Sequence, residues 1–233
     1  MLETRSLTFP VCKETVVIQE GDGFVDRLLL KKNKKFFDVV NDYIAALTVS
    51  MGGITKVTSE HVIDLLAPDH TFLQVECFRL SYGELFEFDH FCGACGETSP
   101  QSVDLTKLEF RELAPEVDST DPIFSFVLPR SKLSATVGML TNRKEIELIQ
   151  HMITSGVDLN QSDFLSLREL DGSSDFSFED VIKLPLADHK AIRKAKKRLV
   201  CGYDTSVRIT CPSCEDISII NLLTHRDFLL PTG

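Results

Sequence analysis

The sequence lacks the features that would place it in a membrane or on a secretory route. No run of eighteen apolar residues occurs, and the opening residues MLETRSLTFP show no basic segment followed by an apolar one. A bilayer-spanning helix needs about 20 apolar residues, and a signal peptide needs an apolar core behind a charged start. We therefore predict that the chain makes no membrane contact and stays in a cytoplasm.

Basic residues are also in short supply. The chain has 25 Lys and Arg against 35 Asp and Glu, which gives a formal net charge of -10. A protein that coats DNA or RNA needs clustered Lys and Arg in surplus to neutralise phosphates. The composition therefore disfavours nucleic acid as the main partner and favours protein partners.

Catalytic motifs are missing as well. The sequence contains no phosphate-binding Gly-rich loop, no serine nucleophile elbow, no H-E-x-x-H and no paired-carboxylate motif. Each of these patterns places reacting groups at a spacing that the chemistry requires. Without them we predict that the chain is not an enzyme and has no small-molecule substrate.

Cysteine is present, but in a pattern that does not indicate disulfides. There are seven cysteines, an odd number, and a reducing compartment disfavours a disulfide framework. We expect Cys12, Cys77 and Cys201 to be small buried apolar residues. The other four form two C-x-x-C pairs: Cys92, Cys95, Cys211 and Cys214.

The two pairs belong to an internal repeat. A constant shift of 119 positions gives eleven identities, without a gap, between residues 60–95 and 179–214, where unrelated sequence would give roughly two. Such self-similarity indicates duplicated structural units. The identical residues of the first copy are Glu60, Val62, Ile63, Leu65, Asp69, His70, Arg79, Leu80, Gly83, Cys92 and Cys95.

The repeat predicts an α+β fold of two tandem homologous units related by a pseudo-two-fold axis, one spanning residues 1–114 and the other 115–233. Each unit should contain a β-hairpin, a helical layer and a C-x-x-C turn, or knuckle, on a second hairpin. In the first unit we expect a helix that ends at Gly52 and Gly53. In the second we expect a helix capped by Asn142, with an inner stripe of Ile146, Ile149 and Ile153.

The knuckles indicate a metal site, because each C-x-x-C turn directs two thiolates toward one point and a structural zinc takes four ligands. If the two units pack about a two-fold axis, their half-sites can combine, so we predict one structural zinc per chain on all four cysteines. Three alternatives stay open: separate sites completed by His90 and by Cys201 or His225, redox-active thiols, and knuckles without metal.

Two further patterns carry predictions. Asp69–His70 and Asp188–His189 are interpreted as helix-capping carboxylates followed by half-exposed histidines. The segment HKAIRKAKKRL, residues 189–199, should form a helix with Ile192 inside and a basic outer face. That face is a candidate partner-binding surface for an acidic protein or, as the alternative function, for nucleic acid through a zinc-ribbon adaptor: Lys190, Arg193, Lys194, Lys196 and Lys197.

The motifs in this order resemble a known family. A Pro-containing hairpin, an Asp-led helix, RLSYG, and CGAC between two strands that end in VDL are similar to the small baseplate-hub assembly proteins of contractile-tailed, T-even type bacteriophages. RLVCGYDTSVRITCPSC and RDFLLP extend the resemblance over most of the chain. It implies a non-enzymatic component or assembly chaperone that binds baseplate and tail subunits, in the virion or in the host cytoplasm. The four knuckle cysteines match the family's own.

Overall fold

The computed structural model describes residues 2–29, 35–156 and 159–225, together with Phe228. Its architecture is mixed α+β, as predicted, with several small antiparallel sheets rather than one large one. Among the described residues, no helix combines the length and the apolar character needed to cross a membrane. Of the segment RDFLLP, only Phe228 lies within the described part.

The first half of the chain begins with a hairpin and ends with a second hairpin, with helices between them. The elements in chain order are β1 (Thr4–Thr8), β2 (Thr15–Gln19), α1 (Gly23–Leu29), α2 (Phe36–Leu47), β3 (Thr48–Met51), α3 (Ser59–Ile63), α4 (Ala67–Tyr82), β4 (Leu85–Phe91), β5 (Thr98–Asp104) and β6 (Phe110–Arg111).

The second half contains the same kinds of elements. They are β7 (Ile123–Val127), β8 (Ser134–Gly138), α5 (Asn142–Ser155), α6 (Leu159–Ser166), β9 (Leu167–Leu170), α7 (Phe178–Ile182), α8 (Leu186–Lys196), β10 (Gly202–Tyr203), β11 (Ser206–Thr210) and β12 (Ile217–Asn221). The short strand β10 precedes the knuckle hairpin, whereas β6 follows the knuckle hairpin of the first half. Three 3-10 turns complete the described structure, at Leu105–Lys107, Lys197–Leu199 and Leu222–Thr224.

Most strands pair locally within each half, while β6 and β10 pair antiparallel across the two halves. β1–β2–β3 and β7–β8–β9 form three-stranded sheets, while β4–β5 and β11–β12 form separate hairpins. A register shift interrupts β2–β3 at Val17/Ile18 and β8–β9 at Thr136/Val137, positions that are 119 residues apart. Lys13 and Lys132, at the same spacing, both adopt a left-handed backbone, with φ of 58° and 66°. Local backbone irregularities therefore recur at the spacing of the sequence repeat.

Two of the predicted helix limits are wrong. The helix expected to reach Gly52 and Gly53 ends at Leu47, because the following residues pair with β2 as strand β3. Gly52 and Gly53 instead form the turn after that strand, with φ of 53° and 84°. The β-branched residues Thr48 and Val49 favour this extended backbone.

Helix α5 also differs from the prediction at its start and along its inner stripe. Its N-cap is Thr141, whose hydroxyl accepts a hydrogen bond from the backbone N–H of Lys144, and Asn142 is the first helical residue. Ile146 is buried, but the Ile153 side chain is 76% exposed and lies outside the core. The helix ends at Gly156 with φ of 84°, as expected for a glycine that follows a helix.

Asp69 and Asp188 hold the first hairpin of each half. The backbone N–H groups of Val11 and Cys12 donate to the Asp69 carboxylate at 2.8 and 3.2 Å. Arg130 and Ser131 donate to Asp188 in the same way, at 2.7 and 2.9 Å. Both carboxylates therefore bind the turn of a distant hairpin, which the capping interpretation missed.

The histidines beside these aspartates are buried rather than half-exposed, which corrects the prediction for both. The Nε2 atom of His70 lies 2.9 Å from Oδ1 of Asn41, and Nδ1 of His189 lies 3.0 Å from Oδ2 of Asp163. Each ring has a polar partner in the interior, so burial leaves it satisfied.

Among the described residues, three apolar clusters form the core. The first lies in the first half around Ile18, Ile44 and Leu73, and the second lies mainly in the second half around Val137 and Ile192. The third takes residues from both halves, and the two knuckle hairpins pack against helix α4 within it. Its buried members are Val75, Phe78, Phe86, Phe88, Leu105, Ile209, Leu222 and Phe228.

Polar contacts also join the halves. The backbone N–H of Ala67 donates to the carbonyl of Leu140, and the Arg143 guanidinium binds Asp64 at 2.7 Å. The Tyr203 hydroxyl donates to the buried Glu76 carboxylate at 2.7 Å, and its ring stacks on Phe72. These contacts, with the shared third core, fix where the two knuckles lie.

Candidate metal centre

The two knuckles lie at the tips of the hairpins β4–β5 and β11–β12. The last paired residues before the turns are Phe91 with Thr98 and Thr210 with Ile217. In each hairpin, alternate residues face the third core while the opposite face is exposed. The packing of both hairpins against one core sets their tips side by side.

The two turns share one hydrogen-bond pattern. Cys92 N–H donates to the carbonyl of Glu97 at 2.8 Å, and Cys211 N–H donates to that of Asp216 at 2.9 Å. The backbone carbonyl of the first cysteine in each pair then accepts a hydrogen bond from the backbone N–H four positions later, that of Gly96 or Glu215, at 2.9 Å. The equal spacing of the cysteines thus produces the same local backbone twice.

Four thiols meet between these turns. One ligand atom from each cysteine lies within 4.8 Å of all the others. The sulfur of Cys92 is 3.7 Å from that of Cys214, and the sulfur of Cys95 is 3.7 Å from that of Cys211. The short contacts pair the first cysteine of each knuckle with the second cysteine of the other.

The distances suit a tetrahedral metal ion. With Zn–S bonds of about 2.3 Å, neighbouring sulfurs in a tetrahedron lie about 3.8 Å apart. The two closest sulfur pairs, at 3.7 Å, agree with that separation. All seven cysteines are free thiols, so no disulfide competes for the four sulfurs. The cluster can therefore hold a metal ion with sulfur ligands only.

The four thiols do not share one environment. Cys92 and Cys211 are buried, whereas Cys95 and Cys214 are exposed. Backbone N–H groups of Cys214 and Ser213 lower the pKa of the Cys211 thiol to about 7. For Cys214, a backbone N–H of Asp216 lowers the pKa, but contact with the neighbouring thiols, that of Cys95 first, outweighs it and raises the pKa to about 12. Clustered thiols resist joint ionisation, and a bound cation would offset that resistance.

The alternative ligands lie elsewhere in the fold. Cys201 is buried in the second core, and burial raises the pKa of its thiol to about 11. The His225 ring packs against Phe88 at a centroid distance of 4.6 Å. Neither these two residues nor His90 belongs to the group of clustered ligands. Of the arrangements left open by the sequence, the shared four-thiol cluster is the one whose ligands come together.

The predicted outer face of the basic helix is only partly free. Lys190, Lys194 and Lys197 are exposed, and none of their ammonium groups has a hydrogen bond or ion pair within the described parts of the chain. Arg193 and Lys196 instead turn inward. The Arg193 guanidinium donates to Asp163 at 3.0 Å, and the Lys196 ammonium donates to the Ser162 hydroxyl at 2.6 Å.

Asp163 is a buried carboxylate of the second half that sequence reasoning missed. Its side chain is about 1% exposed and contacts His189, Arg193 and Lys196. It lies 26 to 33 residues before these partners, on helix α6, and no local motif marks it. A carboxylate this deeply buried needs paired cations, and Arg193 and Lys196 supply them.

No family model, no curated protein and no solved structure matches this chain.

Proposed function

We propose that this chain is a non-enzymatic assembly protein built from two tandem copies of one unit, whose knuckles combine to hold a single structural zinc. The observation that carries the proposal is the group of four thiols within 4.8 Å, drawn from positions 119 residues apart in the repeat. The exchange-symmetric sulfur pairs, Cys92 with Cys214 and Cys211 with Cys95, support a local pseudo-two-fold relation between the knuckles.

Zinc is the ion that this ligand set favours most. Four thiolates in tetrahedral array are typical of structural zinc, while Mg²⁺ and Ca²⁺ prefer oxygen ligands. A mononuclear iron site or an iron–sulfur cluster uses the same ligand type, so the metal must be identified by measurement. A closed set of four protein ligands leaves no open coordination position, which favours a structural role over a catalytic one.

The zinc would act by joining the halves. Each knuckle offers two ligands, so neither half completes the site without the other. At neutral pH, zinc binds to four-thiolate sites with an apparent free energy on the order of 10 kcal/mol. That energy would stabilise the contact between the two hairpins and the third core beneath them.

The further proposal, a role in assembling a phage tail baseplate, rests on the resemblance of the sequence motifs. The fold supplies exposed apolar side chains that an assembly protein could use, including Phe91, Ile217 and Ile219 on the knuckle hairpins. The nucleic-acid alternative retains only three of its five predicted cations, because Arg193 and Lys196 bind Asp163.

Metal analysis of the purified chain tests the zinc proposal. Plasma mass spectrometry should give one zinc per chain after expression in medium that contains both zinc and iron. A Cys12→Ser variant, which changes a thiol outside the cluster, should keep the full zinc content. Iron in place of zinc, or no metal bound above background, would reject the zinc clamp.

Reconstitution tests the assembly role. The zinc-loaded chain should form a stable complex with at least one purified baseplate hub or wedge subunit encoded beside its gene, as seen by size-exclusion chromatography. The matched control is a chain that lacks the four knuckle cysteines, which shows whether the complex depends on the metal site. Absence of a complex with every one of these subunits would reject the baseplate role and leave the zinc proposal standing.

A further inference from the structure

Helix α8 has a surface that the first half of the chain does not offer. Lys190, Lys194 and Lys197 follow a helical spacing of four and three residues, so they lie along one side of the helix and the turn that ends it. We call these three residues the lysine row. Their ammonium groups lack partners in the part of the chain that the structure describes.

A cleft opens beside the lysine row. It has a volume of about 480 Å³ and lies between the start of α4, the end of β8 and the end of α8. Pro68, Met139, Leu199 and Val200 contribute apolar surface, and Lys197 lines both the cleft and the row. Cavities of about 300–1,000 Å³ are typical of ligand pockets, and this one can admit a large apolar side chain.

The charged groups around the cleft leave a positive surplus. Arg193 and Lys196 line one wall and share a single carboxylate, that of Asp163. The carboxylate in the cleft itself belongs to Glu145. Burial lowers the pKa of Lys196, the attraction of Asp163 opposing it only in part. The Lys196 side chain is only 25% exposed, so this part of the cleft is partly desolvated, which strengthens attraction to an incoming opposite charge.

We infer that the lysine row and its cleft bind an acidic segment of a partner protein, with one apolar side chain of that segment inserted in the cleft and its carboxylates on Lys190, Lys194 and Lys197. The rest of this chain is strongly acidic, so an acidic partner is repelled elsewhere and directed to this surface. The inference rests on the proposed assembly function, because it specifies the chemistry of a protein partner.

Selection from a displayed random dodecapeptide library tests the inference, with the zinc-loaded chain as bait. The enriched peptides should carry several Asp or Glu residues around one large apolar residue. Their affinity, measured by fluorescence anisotropy, should fall as salt rises. It should also fall about tenfold or more in a Lys190→Glu/Lys194→Glu/Lys197→Glu variant, and in a Val200→Asp variant at the mouth of the cleft.

The matched control makes the same change in charge elsewhere. Lys35, Lys56 and Lys107 are exposed and lie outside α8, so their replacement by Glu should change the affinity by less than about twofold. Failure to enrich acidic peptides, or equal binding to the lysine-row and control variants, would overturn the inference. Displacement of the peptides by oligo(dT) or a short DNA duplex that binds more tightly would assign the surface to nucleic acid instead.

Zinc content is measured on every variant in the same series. One zinc per chain with no acidic selection would reject only the partner chemistry. Loss of zinc from the unaltered chain would reject the proposed function on which the inference rests.

Discussion

Helices α4 and α8 occupy corresponding positions in the sequence repeat, yet their surroundings differ. Val75 and Phe78 of α4 are buried under the two knuckle hairpins. The positions 119 residues later are Lys194 and Lys197, which are exposed to solvent. Both hairpins therefore cover the helix of the first half, and the equivalent face of the second half is left open. The two copies keep the same local structure in the hairpin turns and knuckles. They differ on the helix face that the knuckle hairpins cover in α4 and leave exposed in α8.

The buried histidines show the same divergence in the interior. His70 has the neutral partner Asn41, and burial lowers the pKa of its ring to about 4. His189 has the carboxylate of Asp163, which Arg193 and Lys196 also contact. The second half thus holds a buried charged group where the first half holds a neutral hydrogen bond. Its extra lysines and arginine serve two roles, one internal and one at the surface.

Removal of the knuckle ligands should have the largest effect on stability. In a Cys211→Ser/Cys214→Ser variant, we expect the free energy of unfolding in urea to fall by several kcal/mol, because a four-thiolate zinc site contributes on the order of 10 kcal/mol. Because the third core joins the halves, we also expect the unfolding transition of this variant to be less cooperative. Cys12→Ser should leave the transition nearly unchanged, and an equal loss in both variants would contradict a role for the cluster.

An exchange of residues between the two helices should give the next largest effect. Phe78→Lys removes a buried ring that stacks on Phe228 at 4.4 Å and places a charge in the third core, so we expect a loss of about 3–5 kcal/mol. The reverse change, Lys197→Phe, alters an exposed side chain and should shift the unfolding free energy by less than about 1 kcal/mol. Similar losses in urea unfolding would show that the two faces are equally covered.

The hairpin-binding aspartates should respond unequally to loss of charge. Burial raises the pKa of Asp69. For Asp188, burial opposes ionisation, but hydrogen bonds from Arg130 and Ser131 outweigh it and lower the pKa. We therefore expect Asp188→Asn to cost about 2–3 kcal/mol at neutral pH and Asp69→Asn to cost less.

The dependence on pH distinguishes the two aspartates further. Because the folded pKa of Asp188 is lowered, its contribution is present above the unfolded pKa of about 4 and is lost as the pH falls through the folded value. For Asp69 the folded pKa is raised, so the contribution is present below the unfolded pKa and is lost as the pH rises through the folded value. The difference in unfolding free energy between the unaltered chain and each variant, measured in urea from acidic to neutral pH, checks these opposite slopes. Parallel slopes would contradict the assigned pKa directions.

The knuckle turns should show the smallest difference. Glu215 has a left-handed backbone with φ of 61°, and Gly96 holds the same position in the other turn with φ of 78°. Glycine adopts this backbone without the strain of about 1 kcal/mol that other residues incur. Glu215→Gly should therefore stabilise the zinc-loaded chain by about 0.5–1 kcal/mol, and Gly96→Ala should destabilise it. Gly93→Ala is the control, because a Cβ meets no atom within 4 Å at either glycine and only Gly96 has a left-handed backbone.

The sequence identified the four cysteines that cluster in the fold because its evidence was local and repeated. Cys92 and Cys95 recur as Cys211 and Cys214, and the alternating residues around them indicated hairpins. The end of helix α2 was predicted wrongly, because pairing with β2 outweighs the helical pattern beyond Leu47. Apart from the meeting of the two knuckles, contacts between distant segments left no sequence signal of their own.

The two clearest examples of such contacts involve carboxylates. Asp188 reaches Arg130 across 58 positions, and Asp163 pairs with Arg193 across 30. From sequence alone, Asp188 resembles a helix cap and Arg193 resembles one more residue of an exposed basic face. Their partners are set by tertiary packing, which no local periodicity encodes.

The most direct test of the account is heteronuclear NMR of the chain loaded with ¹¹³Cd in place of zinc. A shared site predicts one cadmium resonance with scalar couplings to the β-protons of Cys92, Cys95, Cys211 and Cys214 together. Two cadmium resonances, each coupled to the cysteines of one knuckle only, would contradict the shared centre and the duplication-based assembly proposed here.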